Sequence, residues 1–148
     1  MRSFTKATRL KFFGATLGML ALAGPAAAQF GGPPPPPNTG VALFTHMTGG
    51  EGGGYATVVV DPPKGSACYI LNVYGLDNVT AAHIHKGGPG ETGAPVVPLE
   101  APTDGSSGGC APVTAEVSAA LIANPGGYYV NVHTQAFPSG AIRGQLGK

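Results

Sequence analysis

Glycine and proline limit how this chain can fold more than any other feature of its sequence. There are 25 glycines and 15 prolines among 148 residues. Both residue types disfavour helix and strand interiors and mark turns. Between them the apolar residues come in short bursts, which is the pattern of brief strands joined by turns. The sequence therefore predicts one all-β domain with a single hydrophobic core.

Seven short strands are expected, separated by glycine-, proline- and aspartate-rich breaks at 49–54, 61–65, 87–93 and 101–109. This spacing is typical of a Greek-key β-sandwich or barrel of about seven to eight strands. The predicted strands are residues 41–47, 55–60, 67–76, 81–85, 95–99, 128–134 and 141–146.

One segment near the C-terminal third has helical periodicity instead. Val117, Leu121 and Ile122 recur at helical spacing within residues 114–124. Thr114 can cap the first turn, and an Asn-Pro-Gly sequence ends the segment. We expect a single short helix across one end of the β domain.

The N-terminal region has the order of a secretory signal peptide. Basic residues precede an apolar run over 12–24, and three alanines follow. The run is shorter than the roughly 20 residues that a membrane span needs, although an N-terminal anchor remains the alternative. We predict a signal peptide over 1–28, a glycine- and proline-rich linker over 29–40 and the folded domain over 41–148. The protein is then secreted or periplasmic, without a transmembrane segment in its mature chain.

Removal of the signal peptide changes the charge. Four cationic side chains then face seven carboxylates, a net charge of −3. Nucleic acid is therefore not an expected partner. The partner is expected to be an extracellular ligand or a metal ion, and the protein a monomer.

The only cysteines are Cys68 and Cys110. An even pair in an exported chain is most simply a disulfide, which at this loop length contributes about 4 kcal/mol in the chain-entropy view. A two-thiolate metal site is the alternative, but neither cysteine has a partner at CxxC spacing.

The histidines are the main candidates for chemistry. In a strand alternate side chains share a face, so His83 and His85 point to the side opposite Ile84, and Asn131 and His133 point together. Because Ile84, Val130 and Val132 are natural core residues, we expect the three histidines on the outer face of the domain.

Arg143 is expected on the outer face as well, by alternation within the last strand. If the two histidine-bearing strands are neighbours, His83, His85 and His133 form a ligand set for copper or zinc, both of which imidazole suits. Arg143 and Asn131 would be ligand-binding residues beside them. The alternative is structural, with the histidines hydrogen-bonded to one another, to Asn131 or to the 87–93 loop.

Two motifs resemble the CHRD domain family. AAHIH at 81–85 leads into a glycine-rich loop, and YVNVHT at 129–134 is followed by FPSG at 137–140 and IRGQL at 142–146. The sequence departs from the family pattern at Ala141, where an acidic residue is common, and in the 49–54 loop, which lacks the usual glutamate-proline pair. The resemblance covers about residues 41–146 and implies an extracellular module, generally without an assigned activity.

A weaker similarity in architecture is to copper/zinc superoxide dismutases. The chain has only four histidines, fewer than the copper and zinc sites of those enzymes together require, so dismutase activity is not expected. Phosphate-binding and serine-hydrolase motifs are also missing, and we predict that the protein is not an enzyme. The prediction is a secreted CHRD-type binding module whose histidine cluster holds a metal. A structural or adhesive exported module without metal is the alternative.

Overall fold

The computed structural model describes residues 39–50 and 52–148, in which eight strands, one α-helix and two short 3-10 helices are found. The predicted signal peptide, and the predicted linker up to residue 38, lie outside the described residues. The strands are β1 Val41–Gly49, β2 Gly53–Asp61, β3 Ser66–Tyr74, β4 Val79–Lys86, β5 Pro95–Leu99, β6 Ser106–Pro112, β7 Tyr128–Thr134 and β8 Ile142–Gln145, with helix α1 at Ala115–Ala123.

All eight strands form one antiparallel sheet in the order β5-β4-β7-β8-β1-β2-β3-β6. Neighbours that are distant in sequence, such as β4 with β7, give the sheet its Greek-key character. Its two edges approach each other at Glu100, whose backbone N–H donates to Tyr69 Oη at 2.7 Å and whose carbonyl accepts from Ser107 Oγ at 2.7 Å. The result is a nearly closed barrel, as predicted.

The core fills the inside of this barrel with alternate residues of each strand. Burial of each large aliphatic side chain there stabilises the fold by about 1.5–3 kcal/mol. Strands on opposite sides contribute the fully buried residues Leu43, Val58, Leu71, Ile84, Val97, Val130 and Val132.

Helix α1 confirms the prediction for residues 114–124. Thr114 Oγ1 accepts a hydrogen bond from the Val117 N–H at 3.2 Å and so caps the first turn. Leu121 is fully buried against the barrel, while Val117 and Ile122 are half-buried. The helix ends at Ala123, before Asn124 and Pro125.

Strand β6 was not predicted, because residues 101–109 were interpreted as a break. It begins at Ser106 and pairs with β3 along its whole length. In its sequence SSGGCAP only Ala111 is buried, so no apolar alternation marks it. Backbone pairing with β3 makes it a strand, and side-chain periodicity does not record that pairing. The predicted 49–54 break is also shorter, since β1 extends to Gly49 and β2 starts at Gly53.

The predicted disulfide is present. Cys68 and Cys110 face each other across the β3–β6 pair and are bonded. No free cysteine remains among the described residues, which excludes the two-thiolate metal site.

Candidate metal centre

Strands β4 and β7 are hydrogen-bonded neighbours, as the candidate site requires. His83 lies opposite Asn131, and His133 lies opposite Ala81. Because the strands are pleated in register, His83, His85 and His133 project from the same face of the sheet. The other face packs into the core.

The three imidazole rings lie in contact. Each offers one nitrogen, and these three atoms all lie within 4.8 Å of one another. Points so spaced lie within about 2.8 Å of a common centre, against metal-to-imidazole bonds of about 2.0–2.1 Å. His83 Nδ1 and His133 Nε2 are already 3.3 Å apart.

The hydrogen bonds of His85 fix the state of its ring. Its Nδ1 lies 2.8 Å from the carbonyl oxygen of Gly93, which can only accept. Nδ1 therefore carries the proton, and in the neutral ring Nε2 carries the lone pair. Nε2 is buried and has no hydrogen-bond partner among the described residues.

His133 is arranged in the same way. Its Nδ1 donates to the carbonyl oxygen of Pro138 at 2.9 Å, which leaves a lone pair on Nε2. That lone pair accepts from His83 Nδ1–H at 3.3 Å when no other partner is bound. Metal-binding histidines commonly donate their second ring N–H to a carbonyl, which fixes the ring orientation.

The histidines lie on the predicted side of the sheet, but the expectation that all three are surface residues is wrong. His85 is only 8% exposed and His133 only 9%. Loops on either side, residues 87–94 and 135–141, accept their hydrogen bonds and cover the rings. His83 alone is half-buried and reaches solvent.

Arg143 holds the 87–94 loop, which covers His85, by hydrogen bonds to its backbone. Its guanidinium lies 3.6 Å from the ring centre of Tyr129 and donates to the carbonyl oxygens of Glu91 at 2.9 Å and Gly88 at 3.4 Å. The guanidinium also donates to Gln145 Oε1 at 3.2 Å. The side chain is half-buried.

Tyr129 belongs to the site, although it was not among the predicted site residues. Its ring stacks on His85 with 5.0 Å between centres and 15° between planes. Its hydroxyl accepts from the Gly93 N–H at 3.3 Å, beside the carbonyl that holds His85. Alternation along β7 places Tyr129 on the face of Asn131 and His133, and that signal could have found it.

Asn131 holds the other covering loop. It is 5% exposed, and its Nδ2 donates to the carbonyl oxygen of Ser139 at 3.2 Å, next to Pro138. Asn131 and Arg143 also line a shallow pocket of about 340 Å³ together with Thr48 and Thr92. The structure thus brings both predicted ligand-binding residues to one pocket beside the histidines.

Burial lowers the pKa of His83 below its ordinary value of 6.5, and the neighbouring His133 and His85 rings lower it further. The shift favours neutral imidazole, the form that binds metal ions. His46, the fourth histidine, is exposed on β1, where it stacks on Tyr55 at 4.7 Å, and it is not part of the group.

The fold and this face define a small antiparallel β-barrel module with a histidine cluster beneath two loops. The CHRD domain model matches residues 26–146, and the chain belongs to the CHRD domain family. Neither the curated proteins nor the solved structures include a match to this chain.

Family membership supports a binding module, and together with the disulfide it is consistent with an extracellular or periplasmic protein. No helix in the described part of the chain has the length and apolar character of a membrane span.

Proposed function

We propose that this protein is an exported metal-binding CHRD module, in which His83 Nδ1, His85 Nε2 and His133 Nε2 bind one copper or zinc ion. The observation that carries the proposal is His85 Nε2, a buried lone pair without a hydrogen-bond partner among the described residues. A buried polar atom left unpaired costs about 1–3 kcal/mol. A metal ion at the centre of the three rings would satisfy it.

The other two ligands need little rearrangement. His133 Nε2 already carries a lone pair, because its Nδ1 donates to Pro138. His83 must move its proton from Nδ1 to Nε2, which is feasible because this ring reaches solvent. Its lowered pKa keeps the ring neutral near pH 7.

The chemistry of the donors favours copper over zinc. Three imidazoles suit both ions, and the intrinsic order of affinities places Cu(II) above Zn(II). Among the described residues no carboxylate or thiolate joins the group, so the three neutral ligands leave the charge of the ion uncompensated. We infer that the function is binding of the ion and not catalysis, by a monomer outside the cytoplasm.

The test is Cu(II) binding by the tag-free mature chain, measured by competition with a chromophoric chelator. We expect one ion per chain with micromolar or tighter affinity, and at least a hundredfold loss in the double variant His83→Ala, His133→Ala. His46→Ala is the matched control, because it removes an exposed histidine outside the group. Equal copper uptake by wild type and double variant would refute the proposal.

A structural role is the second candidate, because the same histidines hold both covering loops by hydrogen bonds. It predicts that the double variant has a lower melting temperature and that copper has no effect on wild type. Our proposal predicts that copper at 100 times its Kd stabilises wild type by about 2.7 kcal/mol. His83→Gln, at the most exposed ring, provides a gentler variant if the double variant does not fold.

A further inference from the structure

A second surface, separate from the histidine group, carries large apolar side chains that are exposed to solvent. Phe44, Tyr55, Ile70 and Tyr74 are 52–59% exposed. All four lie on the outer face of β1, β2 and β3. With His46 they form what we call the aromatic face. Single exposed apolar residues are ordinary, but a contiguous group marks an interaction site.

Strand register makes these residues neighbours. Phe44 is opposite Thr57, which in turn is opposite Ile70, so the three form one row across the strands. His46 is opposite Tyr55 in the next row, two residues along. Rows in a sheet are about 6.6 Å apart and strands about 4.8 Å apart.

Two tyrosines on this face present open ring surfaces. Tyr55 packs one ring face on His46 and is still 58% exposed, so its other ring face is accessible. Tyr74 lies over Gly53, where a Cβ atom would come 2.5 Å from the tyrosine hydroxyl. The exposed amide of Asn72 is opposite Tyr55 and supplies a donor and an acceptor beside the open ring.

The aromatic face is uncharged. Among the described residues of β1, β2, β3 and β6, the one aspartate, glutamate, lysine or arginine is Asp61, and the one histidine is His46. Asp61 is buried at the end of β2 and paired with Lys64 at 2.8 Å. A charged peptide, a nucleic acid or an anionic membrane would find no complementary charge there.

The face is also small. The three strands and three rows that carry it cover roughly 300 Å², while a stable protein interface buries about 800 Å² on each partner. A second copy or another protein domain would therefore be weakly held. A short stretch of a neutral polymer fits both the area and the missing charge.

We propose that the aromatic face binds a neutral polysaccharide chain. A sugar ring in the pyranose form has an apolar face of C–H groups and hydroxyls around its edge. The C–H face packs on the electron-rich faces of Tyr55 and Tyr74. The Asn72 amide hydrogen-bonds the edge hydroxyls. This site does not depend on the metal.

The test is native affinity electrophoresis of the mature chain through gels containing hydroxyethylcellulose, laminarin or galactomannan, with polygalacturonate as the charged comparison. We expect retardation by at least one neutral polymer and a smaller effect of polygalacturonate. The double variant Tyr55→Ala, Tyr74→Ala should lose at least tenfold in affinity. Phe137→Ala, an exposed aromatic on another part of the surface, is the matched control.

Four outcomes would overturn the proposal. They are migration unchanged by all three neutral polymers, equal retardation of wild type and double variant, a dimer in light scattering that Tyr55→Ala dissociates, and binding to phosphatidylcholine vesicles that the double variant abolishes. Both tyrosines are exposed and the double variant is expected to fold, which its circular dichroism spectrum checks. If it does not fold, Asn72→Ala provides the second variant, with the same expected loss.

Discussion

The Nδ1 atom of His83 lies 3.3 Å from the Nε2 atom of His133, a residue 50 positions later in the chain. This separation suits a hydrogen bond between the rings. It also equals the roughly 3.3 Å between two nitrogens that share a tetrahedral ion at about 2.0–2.1 Å. One arrangement of β4 and β7 therefore serves both the metal-free protein and the proposed metal-bound one.

Stability of the metal-free protein should fall as the pH is lowered below about 6.5. The folded pKa of His83 is below this ordinary value, so the unfolded chain binds more protons there, and the free energy of unfolding decreases until the folded pKa is passed. Urea unfolding at several pH values between 7.5 and 5 measures this decrease in the free energy of unfolding. His83→Gln should remove this part of the pH dependence. An identical slope in the variant would contradict the assignment.

Replacing Arg143 with lysine should weaken the metal site, although Arg143 is not one of the three proposed metal-binding residues. Lysine cannot reproduce the planar fork that reaches the Glu91 and Gly88 carbonyls. We expect a loss of about 2 kcal/mol in the free energy of unfolding and about tenfold weaker copper binding, because the loop orients His85. Urea unfolding and copper titration measure these effects. Lys148→Met, at the exposed C-terminus, should change neither.

Gly93→Ala should damage the same loop from the backbone. A Cβ atom at Gly93 would collide with the carbonyl oxygen of Lys86. The carbonyl that holds His85 must then move, with an expected cost of more than about 2 kcal/mol and weaker copper binding. Gly88→Ala is the control, because its Cβ would meet only the Glu91 carboxylate at 3.4 Å. Similar melting temperatures for the two variants would contradict the prediction.

Removing the disulfide should lower the stability of the protein without changing its affinity for copper. The double variant Cys68→Ser, Cys110→Ser is expected to lose about 2–4 kcal/mol of stability, measured by urea unfolding. Neither cysteine is in the histidine group, so copper affinity at low temperature should be unchanged. A folded variant that no longer binds copper would show that our location of the site is wrong.

Local sequence patterns predicted which face each histidine occupies. His83 and His85 are separated by one residue on a strand, as are Asn131 and His133, and a pleated strand turns alternate residues to one side. The helix at 115–123 was equally predictable, since Val117, Leu121 and Ile122 follow helical spacing and Thr114 can cap the first turn. The disulfide followed from there being only two cysteines in an exported chain.

Tertiary structure decided the rest, because it depends on contacts between distant segments. Strand β6 exists through its pairing with β3, and its own side chains give no periodic signal. His85 and His133 are buried beneath two separate loops, whose carbonyl oxygens at Gly93 and Pro138 accept hydrogen bonds from their Nδ1–H groups. Alternation within a strand fixes only the face of the sheet to which each side chain points. Which strands are neighbours, and what covers them, is set by the long-range pairing and packing of the whole barrel.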